Sequence, residues 1–351
     1  MQLRQSAATY PCRLMKRPAQ LTDRFGRHIN YLRLSVTDRC NLRCFYCVAN
    51  KPIQRHKRHE VLSLEELERL ANAFIQLGIT KIRVTGGEPL VRRGVTGLIE
   101  NLGRSSQLNE LTLTTNGTQL CKYAQQLREA GVDRLNVSLD TLSRKRFKSR
   151  TGGNLDQALQ GLEKARQCNY KRIKINALIN ASDNDDEVVQ LIDFATANGF
   201  DITFIEEMPL TGSLHDPSED QRFVSSQDIR SLLPISYRLI PTQISTGGPA
   251  RYYQLADSNT ASLIGFISAR TEHFCHNCNR VRLTATGKMV PCLGHAHEVD
   301  LRHTIRNHPN DQSALFEIIR SGVYRKPWGH NFNQPGYVTE TQLRPMSTTG
   351  G

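Results

Sequence analysis

Cys40-Asn41-Leu42-Arg43-Cys44-Phe45-Tyr46-Cys47 sets three thiols in the pattern C-x-x-x-C-x-x-C. Such a stretch spans at most ~25 Å when fully extended, so a loop that curls brings all three sulfurs onto one small inorganic core. Zinc in a closed site wants four ligands, usually supplied as two C-x-x-C-like pairs. Three close thiolates suit an iron–sulfur cube better, because they leave one iron without a protein ligand. An iron left open in this way can hold a small molecule. Two other readings stay open on the residues alone: three buried structural cysteines, and a zinc site completed by a distant fourth ligand.

Outward from this loop, Tyr31-Leu32-Arg33-Leu34-Ser35-Val36 alternates apolar and polar residues and reads as a strand leading into it. Ser63 and Glu66 form a capping-box pattern that predicts a helix to Leu77, stopped by Gly78. Strands are expected over 79–84, 110–114, 134–138, 172–179 and 202–206, alternating with helices over 95–102, 118–130, 155–168 and 185–198. Units repeating at about 30 residues signal βα crossovers and a parallel sheet. Six such units fit an α/β fold of the incomplete (β/α)6 TIM-like barrel type better than a closed barrel. Thr85-Gly86-Gly87-Glu88-Pro89, Thr115-Asn116-Gly117, Leu139-Asp140 and Glu207-Met208-Pro209 all stand at predicted strand C-termini, where parallel folds place active sites.

The pattern changes near residue 209. A polar run covers 211–220, a short helix 227–233, and short strands are expected over 237–240, 252–255, 263–267, 281–284 and 288–292. The expected domains are therefore 1–22, a flexible N-terminal extension; 23–233, the partial barrel; and 234–351, a smaller C-terminal region. That region holds Cys275, Cys278 and Cys292, three thiols again, with His295 or His297 available to complete a Cys3His zinc site. An auxiliary iron–sulfur cluster with a substrate-facing open iron is the preferred reading. Arg280 and Arg282, two apart on a strand, share a face. Two guanidiniums beside a cluster suit a polyphosphate.

The chain has 351 residues, nine cysteines and a formal net charge of +13. Six of those cysteines fall in the two clusters, which argues for metal and a reducing compartment. No apolar run approaches the ~20 residues of a membrane span. The first 20 residues lack a secretory signal. A cytoplasmic location is expected, with an organellar transit peptide left open by Arg4, Arg13, Lys16 and Arg17. The positive charge would suit nucleic acid, but an aromatic-rich RNA-binding strand motif is lacking. Arginines converging on a small polyanion use the charge differently.

Taken together these residues resemble the GTP 3′,8-cyclase (MoaA) family of molybdenum cofactor biosynthesis, within the radical S-adenosylmethionine (SAM) enzymes. The likeness runs from about Asp23 to the end. It rests on 32–40, 85–89, 114–117 and 136–140, on both cysteine sets, on Lys326-Pro327 with Gly329-His330-Asn331, and on the terminal Gly350-Gly351. The resemblance implies one [4Fe-4S] cluster on Cys40, Cys44 and Cys47 and a second on Cys275, Cys278 and Cys292. It implies SAM contacts from Tyr46, Gly86, Gly87, Ser138 and Met208. GTP contacts would come from Arg33, Arg83, Thr114, Lys174, Arg280 and Arg282. Arg280, Arg282, Gly350 and Gly351 would serve the chemistry, a lyase reaction giving 3′,8-cyclo-7,8-dihydro-GTP. The implied partners are a flavodoxin or ferredoxin as electron donor, cyclic pyranopterin monophosphate synthase as product acceptor, and a second copy in a homodimer, with neither nucleic acid nor membrane. Two alternatives are another radical SAM enzyme with an auxiliary cluster and a zinc-stapled RNA-binding protein. The Arg280/Arg282 strand and the double-glycine end weigh against the first, and the missing RNA-binding motif against the second.

Overall fold

Parallel strands β1 (Tyr31–Ser35), β2 (Lys81–Thr85), β3 (Glu110–Thr115), β4 (Arg134–Ser138), β5 (Arg172–Leu178) and β6 (Asp201–Ile205) follow one another across one sheet. The computed structural model describes residues 20–48, 55–209, 221–256, 260–330, 332 and 346–350. Most of the N-terminal extension, the 211–220 run, Asn331 and Gly351 lie outside the described residues. Strand residues alternate in direction. Leu32, Leu34, Ile82, Val84, Leu111, Leu113, Leu135 and Val137 point outward into a buried core. The crossover helices Leu64–Gln76, Val95–Gly103, Leu120–Glu129, Leu155–Arg166 and Val188–Ala197 cover that face.

The first helix starts where its cap predicts. Glu66 N donates to Ser63 Oγ (3.1 Å), and Ser63 N donates to Glu66 Oε2 (2.7 Å). Several helices have no counterpart in the sequence reading, Leu301–Asn307 and Gln312–Tyr324 among them, and the one beside the first cysteine loop is Arg144–Thr151. Its sequence, RKRFKSRT, carries a single large apolar residue, so hydrophobic periodicity is silent there. The helix is held by charge instead. Arg150, 3% exposed, reaches Asp140 and Asp183.

The later strands are β7 (Leu239–Pro241), β8 (Arg251–Leu255), β9 (Ile264–Ile267), β10 (Arg280–Leu283), β11 (Lys288–Val290) and β12 (Val299–Asp300). The sheet order is β12-β11-β10-β1-β2-β3-β4-β5-β6-β9-β8-β7. β9 lies parallel to β6, and β10 parallel to β1. The incomplete barrel thus gains one parallel strand at each edge from residues beyond 234, and the C-terminal region is continuous with it. Among the described residues no helix is long and apolar enough to cross a membrane.

This topology separates the two cysteine sets. Cys40, Cys44 and Cys47 follow the C-terminal end of β1. Cys278 comes just before β10, whose first residue Arg280 is level with Tyr31, the first residue of β1. The sets therefore stand at opposite ends of the barrel axis.

The Thr114–Gly117 turn is seated by close packing. Gly161 of the helix Leu155–Arg166 lies so near that an added Cβ would sit 2.2 Å from Gly117 O and 3.0 Å from Leu120 Cβ. Gly161→Ala should destabilise the fold by about 1–3 kcal/mol through overpacking, seen as a lower denaturant midpoint. An unchanged midpoint would contradict this packing.

Candidate active site

Lateral register sorts the inward side chains into rows. Arg282, Arg33, Arg83 and Thr112 stand opposite one another across β10, β1, β2 and β3. Arg280, Tyr31 and Lys81 form the next row towards the strand starts. Thr114, Asn136 and Lys174 align across β3, β4 and β5. Arg33, Arg83, Thr114, Lys174, Arg280 and Arg282 all line one cavity, together with Tyr46, Gly86, Gly87, Ser138, Met208 and both cysteine sets. The cavity is the barrel lumen.

Its electrostatics are strongly positive. Burial and the neighbouring Arg282 push the Arg33 guanidinium well below its usual basicity. Burial and Arg280 bring Arg282 down to about 10. Burial opposes ionisation of the Tyr31 phenol, yet Arg83, Arg33, Lys81 and Arg280 outweigh it and lower its pKa. The Tyr31 hydroxyl, Thr114 Oγ1 and Asn176 Oδ1 are buried without a hydrogen-bond partner. Buried polar atoms are ordinarily satisfied, so this wall fits a polar, anionic ligand.

The first cysteine loop is tied to the neighbouring strand ends. Gly87 N donates to Thr37 O (2.7 Å), and Glu88 N to Arg39 O (2.8 Å). A Cβ on Gly86 would lie 2.7 Å from Thr37 O, and one on Gly87 2.4 Å from Arg39 O. The glycines therefore admit the chain's own backbone in front of Cys40, as well as facing the lumen. Leu42 N donates to Cys40 Sγ (3.3 Å), and Asn116 Nδ2 approaches the same sulfur (3.8 Å). Burial raises Cys40 to about 11. A hydrogen bond between Cys44 and Cys47 lowers the first and raises the second. Three thiols converging on the lumen, with N–H groups aimed at one sulfur, fit an iron–sulfur cluster.

The second set is held by two cations, Arg27 and Lys326, to which the sequence reading gave no role. Lys326, 2% exposed, donates to Arg280 O (2.9 Å) and to Pro291 O. Arg27 pairs with Asp23 (2.6 Å) and donates to Cys275 O (2.7 Å), Trp328 O (2.7 Å) and Pro327 O (2.6 Å). Backbone N–H groups of His330, Arg280 and Gly294 reach Cys275, Cys278 and Cys292. This donor set also fits a cluster. The histidines beside this set are not the two that the zinc alternative offered. His297 is exposed, and His295 Nε2 lies 2.6 Å from Gly329 O. His273 and His330 instead stand beside Cys275, their ligand atoms within 4.8 Å of one another.

Met346 and Ser347 line the lumen, and Gly350 is bonded to two of its arginines. Gly350 has φ +79°, and a Cβ there would lie 2.2 Å from Thr85 Cγ2. Arg282 Nη1 donates to Gly350 O (2.5 Å) and Thr349 O (3.3 Å), and Arg33 Nη2 to Gly350 O (3.5 Å).

Burial works against the Cys278 thiolate, but Arg280 and Lys326 outweigh it and lower its pKa to about 6. In metal-free protein the pH midpoint for alkylation of Cys278 should therefore lie near 6. In Arg280→Ala it should rise towards the ordinary ~8.5. A wild-type midpoint at or above that ordinary value would contradict the electrostatic picture.

Comparison with known proteins agrees with this geometry. The Radical SAM superfamily model matches residues 34–195, and the Molybdenum Cofactor Synthesis C model residues 200–332. "GTP 3′,8-cyclase 2" of Pseudomonas aeruginosa is 48% identical, covering 95% of this chain and 99% of its own. "GTP 3′,8-cyclase" of Ectopseudomonas mendocina is 47% identical, with 95% and 99% covered. The structure of Streptococcus suis SuiB bound to S-adenosylmethionine shares the fold, with TM-score 0.62 at 14% identity, covering 90% of this chain and 77% of that one. Identity near one half over almost the full length decides the matter: the chain belongs to the GTP 3′,8-cyclase family of radical SAM enzymes.

Proposed function

We propose that this chain is a lyase converting GTP to 3′,8-cyclo-7,8-dihydro-GTP, the first step of molybdenum cofactor biosynthesis. The observation that carries the reading is one cation-lined lumen with a cysteine set at either end and Gly350 bonded to its arginines. Cys40, Cys44 and Cys47 would hold a [4Fe-4S] cluster, which with SAM supplies one-electron radical chemistry when bound. Tyr46, Gly87, Ser138 and Met208 would seat SAM at that end. Cys275, Cys278 and Cys292 would hold the second cluster, where guanine is anchored.

The chain's own part is binding, orientation and exclusion of water. Arg33, Arg83, Arg280, Arg282 and Lys174 clamp the triphosphate, and Thr114 supplies a hydroxyl. Hydrogen bonds to charged groups contribute about 1.5–3 kcal/mol each. Gly350 and Gly351 orient groups beside the arginines after SAM cleavage. Electrons would come from a flavodoxin or ferredoxin, and the product would pass to cyclic pyranopterin monophosphate synthase. The clustered thiols suit a reducing, cytoplasmic setting, with the chain working as a homodimer.

Anaerobic incubation with GTP, SAM and a reductant should yield 5′-deoxyadenosine together with the cyclised nucleotide. Cys44→Ala should yield neither. Arg282→Ala should weaken GTP binding roughly tenfold or more. Retained 5′-deoxyadenosine formation in Cys44→Ala would exclude the first cluster's assignment.

A further inference from the structure

Lys174 lines the lumen from β5, and its ammonium donates to the Tyr252 phenol oxygen at 3.2 Å. The ammonium also lies 5.7 Å from the centre of that ring. Tyr252, on β8, is 2% exposed and stands behind the lumen wall rather than in it. Its ring fills the space over Gly265 of β9, where an added Cβ would come within 2.8 Å of it. Thr246 Oγ1 lies 3.0 Å from the same phenol oxygen. The phenol therefore accepts from Lys174 while bonded on its other side to Thr246.

Thr246 is itself fastened. Its carbonyl accepts from Lys81 Nζ (2.6 Å) and Arg134 Nη2 (3.1 Å). Both cations pair with Glu110. Lys81, Glu110 and Arg134 are the first residues of β2, β3 and β4, so the loop between β7 and β8 is strapped across the strand-start end of the barrel. Gly248, Pro249 and Ala250 of that loop form part of the lumen wall. Burial alone would raise the Tyr252 phenol, yet Lys174 and the Thr246 bond bring it below its ordinary value. A lysine ammonium rides on a flexible stem. Fixing it before the ligand arrives removes an ordering cost from binding.

We propose that Tyr252 is a positioning residue for Lys174, holding the ammonium on the path of the substrate's phosphate chain, and that the strapped Thr246 loop holds Tyr252 in turn. The inference rests on the GTP reading above. Its test is a double-mutant cycle on the reconstituted holoenzyme, titrated anaerobically with GTP and with guanosine, which lacks phosphates. Tyr252→Phe keeps the ring over Gly265 and removes only the hydroxyl. It should weaken GTP about three- to tenfold and leave guanosine binding unchanged. Added to Lys174→Met, it should have no further effect on GTP. Unchanged GTP affinity in Tyr252→Phe, an equal loss with guanosine, or a full additional loss in the Lys174→Met background would each overturn the inference while a loss in Lys174→Met itself left the GTP site standing. If Lys174→Met bound GTP normally, the phosphate-site reading and this inference would fall together.

Discussion

Four guanidiniums, on Arg33, Arg83, Arg280 and Arg282, point into one lumen whose walls are largely buried, and they repel each other. Like charges out of bulk water interact strongly, and an uncompensated buried charge is costly. The fold contains the repulsion in ways that depend on its topology. Parallel pairing of β10 with β1 brings Arg282 level with Arg33, so the C-terminal strand completes the row. Tyr31 stands among the cations as an acidifiable phenol. The carbonyls of Thr349 and Gly350 accept from Arg282. On the proposed reading, a triphosphate would add negative charge beside these arginines in the bidentate geometry that arginine favours.

At the other end of the lumen the cysteine loop is braced through one buried carboxyl group. Glu88 is fully buried and accepts from Thr115 Oγ1 (2.8 Å), Asn116 N (2.7 Å) and Leu90 N (3.1 Å). Burial still raises it to about 7. Its own backbone N–H meets the residue ahead of Cys40. Asn116 then reaches Asn41 (2.9 Å) and Cys40. Three separate strand-end motifs are thereby joined into one support for the cysteine loop, which local propensity alone would leave loose.

Features confined to short stretches were legible in the sequence. The cysteine spacings, the Ser63 cap and the six alternating strands each carry a local signal. The residues at the strand ends do open onto the lumen. The attachment of β9 and β10 to opposite edges was not legible, because four-residue strands say nothing about their partners. The roles of Arg27 and Lys326 were not legible for a similar reason. Their acceptors are backbone carbonyls far away in the chain, and carbonyls leave no trace in residue type. Gly86 and Gly87 were read as SAM contacts; they line the lumen, and they also admit the backbone of Thr37 and Arg39, which the sequence did not reveal. Sequence proximity offered His295 or His297 only as the alternative zinc ligands of the second cysteine set, whereas chain folding brings His273 and His330 to Cys275.

On the proposed reading the barrel and the C-terminal region build one reaction chamber, with Gly350 held against its arginines. Removing Gly350 and Gly351 tests it most directly, with iron content, 5′-deoxyadenosine and cyclised nucleotide measured on the same anaerobic sample. The account predicts that the truncated protein keeps its iron and still cleaves SAM but forms no cyclised nucleotide. Full cyclisation by the truncated protein would contradict it.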